Sequence, residues 1–313
     1  MVKGALIVGC GRIGTGYGWP KHAFAYTHAD AYRNVRDKIT LVGAVDGIKE
    51  RRDYASHEYK IPTFDSIKDA LERTNPNIVS ICTSPDGRVP IVKEVRKYPS
   101  VEGLWIEKPL SEKYEDSIKI AHMTRNIWTQ VNYIRRFDSL HRDVKKRLEA
   151  GEFGDVIKLV FFAKPDWTHT MCHFVDLTRW LGVPLTSCEF IGVNGADYVM
   201  TEYKLICTKK VIDFKSGGMW ASISGPHDSE YFPNAVMPEE TRVYGGYKAQ
   251  DKLFMEEAVT DLYSAIDSRG DTVCPADDAA ETDRITKEVC ALWKTRQGYR
   301  FPQWYSLAPT MPK

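Results

Sequence analysis

The sequence predicts an α/β protein with two parts. An N-terminal Rossmann-type, doubly wound parallel sheet spans residues 1–130, and an α+β domain with a largely antiparallel sheet spans 131–313. Three observations predict this. Apolar runs alternate with helical patterns through the first part, the first run opens into Gly9-Cys10-Gly11-Arg12-Ile13-Gly14, and from Val156 the pattern changes to a succession of short strands.

Ala5-Leu6-Ile7-Val8 is an apolar, branched run of the kind buried inside a parallel sheet. Gly9, Gly11 and Gly14 follow in the spacing G-x-G-x-x-G, with Arg12 and Ile13 inside the frame. Gly9 permits a tight turn, Gly11 lets backbone amides approach a pyrophosphate, and Gly14 lets helix and strand pack closely. Unpaired N–H groups and the dipole of a starting helix stabilise an anion there. Glycines alone would also suit an ordinary turn. A second run at 40–45 ends in Asp46, an acid suited to adenosine ribose hydroxyls, and strand, glycines and acid in that order predict a dinucleotide site.

Past Gly14 the helix is interrupted by Gly16, Gly18 and Pro20 and restarts at Thr27, with Asp30 in capping-box-like spacing. Asp46 therefore follows Gly14 by 32 positions, against about 20 in the usual unit. Residues 15–26 read as an insertion at the mouth of the cofactor cleft. Tyr17, Trp19, Lys21 and His22 would then reach substrate or nicotinamide, while a loop packed by its own aromatics explains the same residues.

A short strand at 61–64, a helix from Ser66 and an apolar run at 78–82 lead to the turn Thr83-Ser84-Pro85-Asp86-Gly87. Ligands of open parallel sheets bind beyond the carboxyl ends of the strands, so this turn lines the cleft. A further helix leads to a strand at 103–106 that ends in Glu107-Lys108-Pro109. Pro109 fixes its own φ and biases Lys108 towards extended backbone. Lys108 then either reaches the cleft as an electrostatic clamp or stays a solvated charge.

The second part carries strand patterns at 156–163, 189–193, 203–207, 211–214, 220–224 and 241–244, then helices at 254–265 and 278–297. A helix over 169–180 puts His169 and His173 on one face, with Asp176 three positions further on. These histidines suit catalysis or partners in a domain interface. Zinc is disfavoured: no glutamate completes H-E-x-x-H, and Cys172 points away from the histidine face, so no metal is expected.

Bulk properties narrow the setting. With 43 basic and 42 acidic residues the net charge is +1, which gives no field for nucleic acid or an anionic membrane. No apolar run approaches the roughly 18 residues of a membrane span. Strand one begins almost at the N-terminus, leaving no room for a signal peptide. Seven scattered cysteines without a C-x-x-C pair suit reduced thiols and a cytoplasmic location.

The chain resembles the glucose–fructose oxidoreductase/inositol dehydrogenase (Gfo/Idh/MocA) family from Gly4 to about Phe301. The resemblance rests on GCGRIG, the helix start His28-Ala29-Asp30-Ala31-Tyr32, TSPDG, the EKPL box, VNYIRRFD at 131–138, HFVDLTRWLG at 173–182 and the C-terminal helix pair. It implies an NAD-dependent oxidoreductase, NADP being possible, that moves a hydride between nicotinamide and a hydroxyl or keto carbon of a sugar, sugar derivative or nucleotide sugar. Asp46 favours NAD because it repels a 2′-phosphate, although Lys49, Arg51 and Arg52 lie just beyond it.

The implied cofactor residues are Gly9, Gly11, Arg12, Ile13, Gly14, Asp46, Thr83, Ser84, Pro85, Glu107 and Lys108. The implied substrate residues are Trp19, Lys108, Tyr133, Arg135, His169 and His173. His173 is the acid–base group by resemblance, and an unperturbed imidazole pKa of about 6.5 suits that work. Lys108 would stabilise negative charge on the reacting oxygen and help keep His173 neutral. His169 could orient His173, contact a substrate hydroxyl or be the base itself.

Two positions depart from the family pattern: His169 stands where an aspartate is usual, and Arg88 where a histidine is frequent. The family also includes enzymes that use bound NAD for transient oxidation in elimination or glycoside cleavage, and cofactor-sensing regulators without catalysis. It often forms homo-oligomers through the open face of the second sheet, for which Phe161, Phe190, Tyr203 and Phe214 supply apolar material.

Overall fold

The glycine-ended first run is a strand, β1 (Lys3–Val8), buried from Ala5 onwards. The computed structural model describes residues 2–19, 26–163, 170–192, 202–215, 218, 220–228, 236–238, 242–245 and 254–295. β1 pairs in parallel with β2 (Ile39–Val45) on one side and β4 (Ile78–Ile81) on the other. With β3 (Thr63–Phe64), β5 (Gly103–Ile106) and β6 (Trp128–Val131), the order is β3-β2-β1-β4-β5-β6 and every pairing is parallel. The chain reverses direction of travel between β1 and β4, which is where an open sheet leaves a ligand crevice beyond its strand ends.

Helices connect the strands: α1 (Arg12–Thr15), α2 (His28–Asn34), α3 (Lys49–Tyr59), α4 (Ile67–Thr74), α5 (Arg88–Val95) and α6 (Tyr114–Met123). Thr27 caps α2 by accepting from the Asp30 amide, as the spacing of the two predicts. After a 3-10 turn at Ile134–Phe137 comes α7 (Ser139–Glu149).

The second sheet holds β7 (Val156–Ala163), β8 (Cys188–Gly192), β9 (Glu202–Cys207), β10 (Val211–Lys215) and β11 (Trp220–Ser224), with α8 (Met171–Trp180) after β7. β12 (Pro226–Asp228) and β13 (Val236–Pro238) form a separate pair, and β14 (Arg242–Gly245) closes the larger sheet in the order β14-β11-β10-β9-β7-β8. All its pairings are antiparallel except β7 with β8. Two helices follow, α9 (Phe254–Ser268) and α10 (Ala276–Thr295). No described helix is long and apolar enough to cross a membrane.

Contacts divide the chain into Met1–Asp138 with Lys252–Arg284, and Ser139–Asp251 with Ile285–Lys313. A single break near residue 130 does not anticipate this return. In the first unit, α9 lies against the end of the parallel sheet. A Cβ on Gly103 of β5 would stand 2.7 Å from Ile266 Cδ1, so glycine there admits the helix.

In the second unit β9, β10 and β11 alternate strictly between buried and half-buried residues. Phe161, Tyr203 and Phe214 point to one face, where Tyr203 stacks on Phe214 with centroids 4.5 Å apart and Phe161 meets Phe174 of α8 at 4.2 Å. Phe190 packs against the same core. The opposite face carries charged pairs: Lys204 with Asp213 at 3.1 Å, Lys215 with Glu202 at 2.7 Å, and Lys158 with Glu189 at 2.6 Å.

Phe161, Phe190, Tyr203 and Phe214 could have supplied a face for another copy or a face covered by helices, and the structure shows the second. Helices cover their face, because a face with that much apolar area is stable only when covered. The difference is measurable. Phe214→Ala should lower urea unfolding stability by about 3–5 kcal/mol, the cost of truncating a buried phenylalanine, whereas an interface residue would change association and leave that stability in place.

Candidate functional site

The carboxyl edge of the parallel sheet gathers three loops, after β1, β4 and β5. Gly9 has φ +102°, and a Cβ there would stand 2.9 Å from Cys82 C and Thr83 N, so only glycine lets the first two loops touch. A Cβ on Gly14 would stand 2.0 Å from Gly9 O. Gly11 faces the other way, with only Arg51 Nη1, at 4.0 Å, near a Cβ placed there. The chain thus closes beneath Gly11 and stays open above it. α1 is a single turn, stopped by Gly16 in the left-handed region, so anion attraction rests on first-turn N–H groups rather than on a long dipole.

Asp46 is held at the same edge. Its Oδ2 accepts from Cys10 N at 2.8 Å and its Oδ1 from Ile48 N at 2.9 Å. Arg51 Nη1 lies 3.7 Å from Oδ2, and Arg52 Nη1 donates to the Asp46 carbonyl at 2.8 Å. Thr83, at the end of β4, has a buried hydroxyl oxygen with no partner.

The loop after β5 is held from below by buried charge. Along 103–111 every residue is buried except Lys108, which is half-buried. Arg88, 2 % exposed at the start of α5, donates from Nε and Nη2 to Thr83 O at 3.2 and 2.5 Å. Its Nη1 donates to the carbonyls of Glu107 and Pro109, the two residues that flank Lys108. Asp283 of α10 binds the next stretch: its Oδ2 accepts from Leu110 N at 3.0 Å, Ser111 N at 3.4 Å and Ser117 Oγ at 2.8 Å. The Lys108–Pro109 peptide is cis.

The Glu107 side chain turns inward. His28 Nε2 lies 3.0 Å from Glu107 Oε1 and His28 Nδ1 lies 3.0 Å from Ser80 Oγ, which in turn meets Tyr32 OH at 2.7 Å. Asn132 Nδ2 donates to Glu107 Oε1 at 2.5 Å. Burial lowers the His28 pKa. A neutral ring carrying its proton on Nε2 therefore donates to the carboxylate and accepts from the serine. Burial pushes Glu107 up, but the His28 hydrogen bond, the Lys108 charge and Asn132 together hold it below the ordinary carboxylate range. Burial pushes Asp283 up to about 6 against the pull of its four hydrogen bonds.

The expected site residues fall into groups. Gly9, Gly11, Arg12, Ile13, Gly14, Asp46, Thr83, Ser84, Pro85 and Lys108 share this edge. Glu107 is at the same edge, where its carbonyl accepts from Arg88 and its carboxylate from Asn132, with His28 Nε2 at 3.0 Å. Tyr133 is buried and its hydroxyl donates to Asp283 Oδ1 at 3.1 Å, so it is tied to the carboxylate that holds the loop. Arg135 is half-buried on the 3-10 turn.

Trp19 packs edge-on to Tyr26, which packs on Phe254, at 6.5 and 6.1 Å, while Tyr17 meets Tyr54 at 5.7 Å. The described aromatics of 15–26 thus pack on one another and on neighbouring helices. In α8, residues 171–178 are buried except His173. Cys172 is 1 % exposed, on the face away from it. Lys21, His22 and His169 lie outside the described residues. Sequence reasoning missed the roles of Arg88, Asp283 and the pair His28–Asn132. Arg88 stood out only as a departure from the family pattern, and Asp283 has no local signal.

Residues 3–131 match the family model described as "Oxidoreductase family, NAD-binding Rossmann fold". The scyllo-inositol 2-dehydrogenase (NAD(+)) of Bacillus subtilis (strain 168) is 25% identical over 196 residues, 62% of this chain and 48% of that protein, so the chain spans about half the length of the curated relative it matches. UDP-N-acetylglucosamine 3-dehydrogenase GnnA from Acidithiobacillus ferrooxidans superposes with TM-score 0.69 at 15% identity, over 92% of this chain and 97% of that one. The super-repressor mutant of Gal80p from Saccharomyces cerevisiae superposes with TM-score 0.73 at 12% identity, over 93% and 96%. At these identities the likeness establishes the fold, which a dehydrogenase and a repressor share. The open approach to Gly11, the fixed Asp46 and the orphaned Thr83 hydroxyl suit a dinucleotide with its pyrophosphate over the glycine turn.

Two outcomes follow from this geometry. Fluorescence titration should show tighter NAD than NADP binding, and Arg51→Ala should weaken NADP by about tenfold, the loss of roughly 1.4 kcal/mol, with little change for NAD. Equal weakening of both would remove Arg51 from any selective contact. For Asp283 the native pKa lies above the unfolded value of about 3.9. The native state then binds the proton more tightly, and stability falls as pH rises from about 4 to 6. The stability difference between Asp283→Asn and wild type should therefore shift in favour of the variant over that window in urea unfolding, and a constant difference would contradict a raised pKa.

Proposed function

With residues 3–131 belonging to the NAD-binding Gfo/Idh/MocA oxidoreductases, we propose that this chain is an NAD(P)-dependent oxidoreductase acting on a hydroxyl or keto carbon of a sugar, sugar derivative or nucleotide sugar, with Lys108 and His173 as its catalytic residues. The observation that carries the reading is the exposure of Lys108 alone from an otherwise buried loop at the carboxyl edge of the sheet. The Bacillus and Acidithiobacillus relatives, dehydrogenases of an inositol and of a nucleotide sugar, support a polyhydroxylated ring as substrate.

Bound NAD supplies the two-electron acceptor. The Lys108 ammonium holds the reacting oxygen and stabilises the negative charge that develops on it. The half-buried His173 takes the hydroxyl proton when the alcohol is oxidised and returns it when the ketone is reduced. Gly9, Gly11 and Gly14 would leave room for the pyrophosphate, and Asp46 would hold the adenosine ribose.

Steady-state absorbance with a panel of sugars and nucleotide sugars tests this. Lys108→Ala should lower turnover by about a hundredfold or more, and His173→Ala by about 10²–10⁴-fold, with NAD affinity nearly unchanged in both. Wild-type turnover in both variants would sink the assignment. Tight NAD binding with no turnover of any panel member would favour a cofactor-sensing regulator.

A further inference from the structure

Arg88 is a full charge in the protein interior, and burial lowers its pKa while the nearby carboxylates Glu107 and Asp283 oppose that. A buried guanidinium is stable only when its donors are satisfied. Here every acceptor in its shell is a backbone carbonyl, and two of the three belong to the residues on either side of Lys108. Asp283 makes the complementary set, taking the amides of the next two residues in the chain. A cation on two of its carbonyls and an anion on two of its amides thus hold the backbone of 107–111 from both ends. The only side chain of that loop to reach solvent is Lys108.

We infer that Arg88 and Asp283 are positioning residues whose task is to fix where the Lys108 amine stands. The inference rests on reading Lys108 as the group that meets the substrate oxygen. Arg88 itself touches no substrate. It stands one carbonyl away on both sides of the residue that does. A lysine in place of Arg88 keeps the charge but has no planar fork with which to bind three carbonyls at once. The loop then loses at least one anchor, and displacement of a catalytic group by about 1 Å costs on the order of a hundredfold in rate.

The test uses the full chain and reads Lys108 directly. Limiting acylation with an amine-reactive ester, followed by mass spectrometry, gives the modification rate at Lys108 beside the exposed Lys49 and Lys68 as internal references. Arg88→Lys should change the Lys108 rate several-fold, leave both references unchanged, and lower kcat about a hundredfold with KM for NAD nearly unaltered. Asp283→Ala, which removes the acceptor of the Leu110 and Ser111 amides, should move the Lys108 rate as well. Asp283→Asn, which keeps an acceptor oxygen, should restore it.

In the unmodified protein the amides of Leu110 and Ser111 should exchange with deuterium as slowly as those of β4 and β5. Exchange of both within seconds, or an unaltered Lys108 rate in folded Arg88→Lys or Asp283→Ala, overturns the inference. A changed Lys108 rate together with wild-type turnover in Lys108→Ala would uphold the positioning and remove the catalytic role instead.

Discussion

The capture of three backbone carbonyls by the Arg88 guanidinium is the constraint on which the carboxyl edge of the parallel sheet depends. It joins the end of β4 to the loop after β5 through one side chain. Loops lack the ladder hydrogen bonds that hold strands in place, so their buried carbonyls need partners from elsewhere. A planar fork with five donors can supply them, and no other side chain offers that geometry.

A single buried cation would be costly alone. Here it is balanced by the ionised Glu107, which His28 and Asn132 hold from the other side, and by Asp283 on the following amides. The same arrangement explains a polar layer that the hydrophobic pattern would not lead one to expect under the loop after β5. His28, Ser80, Tyr32, Glu107, Asn132 and Arg88 are all buried within the first unit. Satisfied networks of this kind favour one arrangement over its neighbours, because each alternative strands a buried donor or acceptor.

What the sequence made legible follows the range of the interactions. The parallel sheet, its glycine turn and the acid after β2 are written in local runs and short spacings, and all are present. The strands of the second sheet are equally local, and alternation is regular in β9, β10 and β11. The roles of Phe161, Tyr203 and Phe214 were not legible, because alternation says that one face is apolar without saying whether helices or another copy cover it. Tyr133, a substrate residue by resemblance, is bonded to Asp283, 150 positions away, and no local pattern marks that contact. Asp283 and Arg88 act through backbone atoms of distant residues, and no periodicity or motif marks a side chain whose partners are carbonyls and amides.

The fold carries both a dehydrogenase and a repressor among its likenesses, so the architecture alone does not decide function. If Arg88 works only through Lys108, the two residues form one unit and their losses cannot add. A double-mutant cycle on kcat/KM measures this directly, with Arg88→Lys made in the wild-type and the Lys108→Ala backgrounds. The account predicts a large loss in the first background and almost none in the second. Equal losses in both would contradict it.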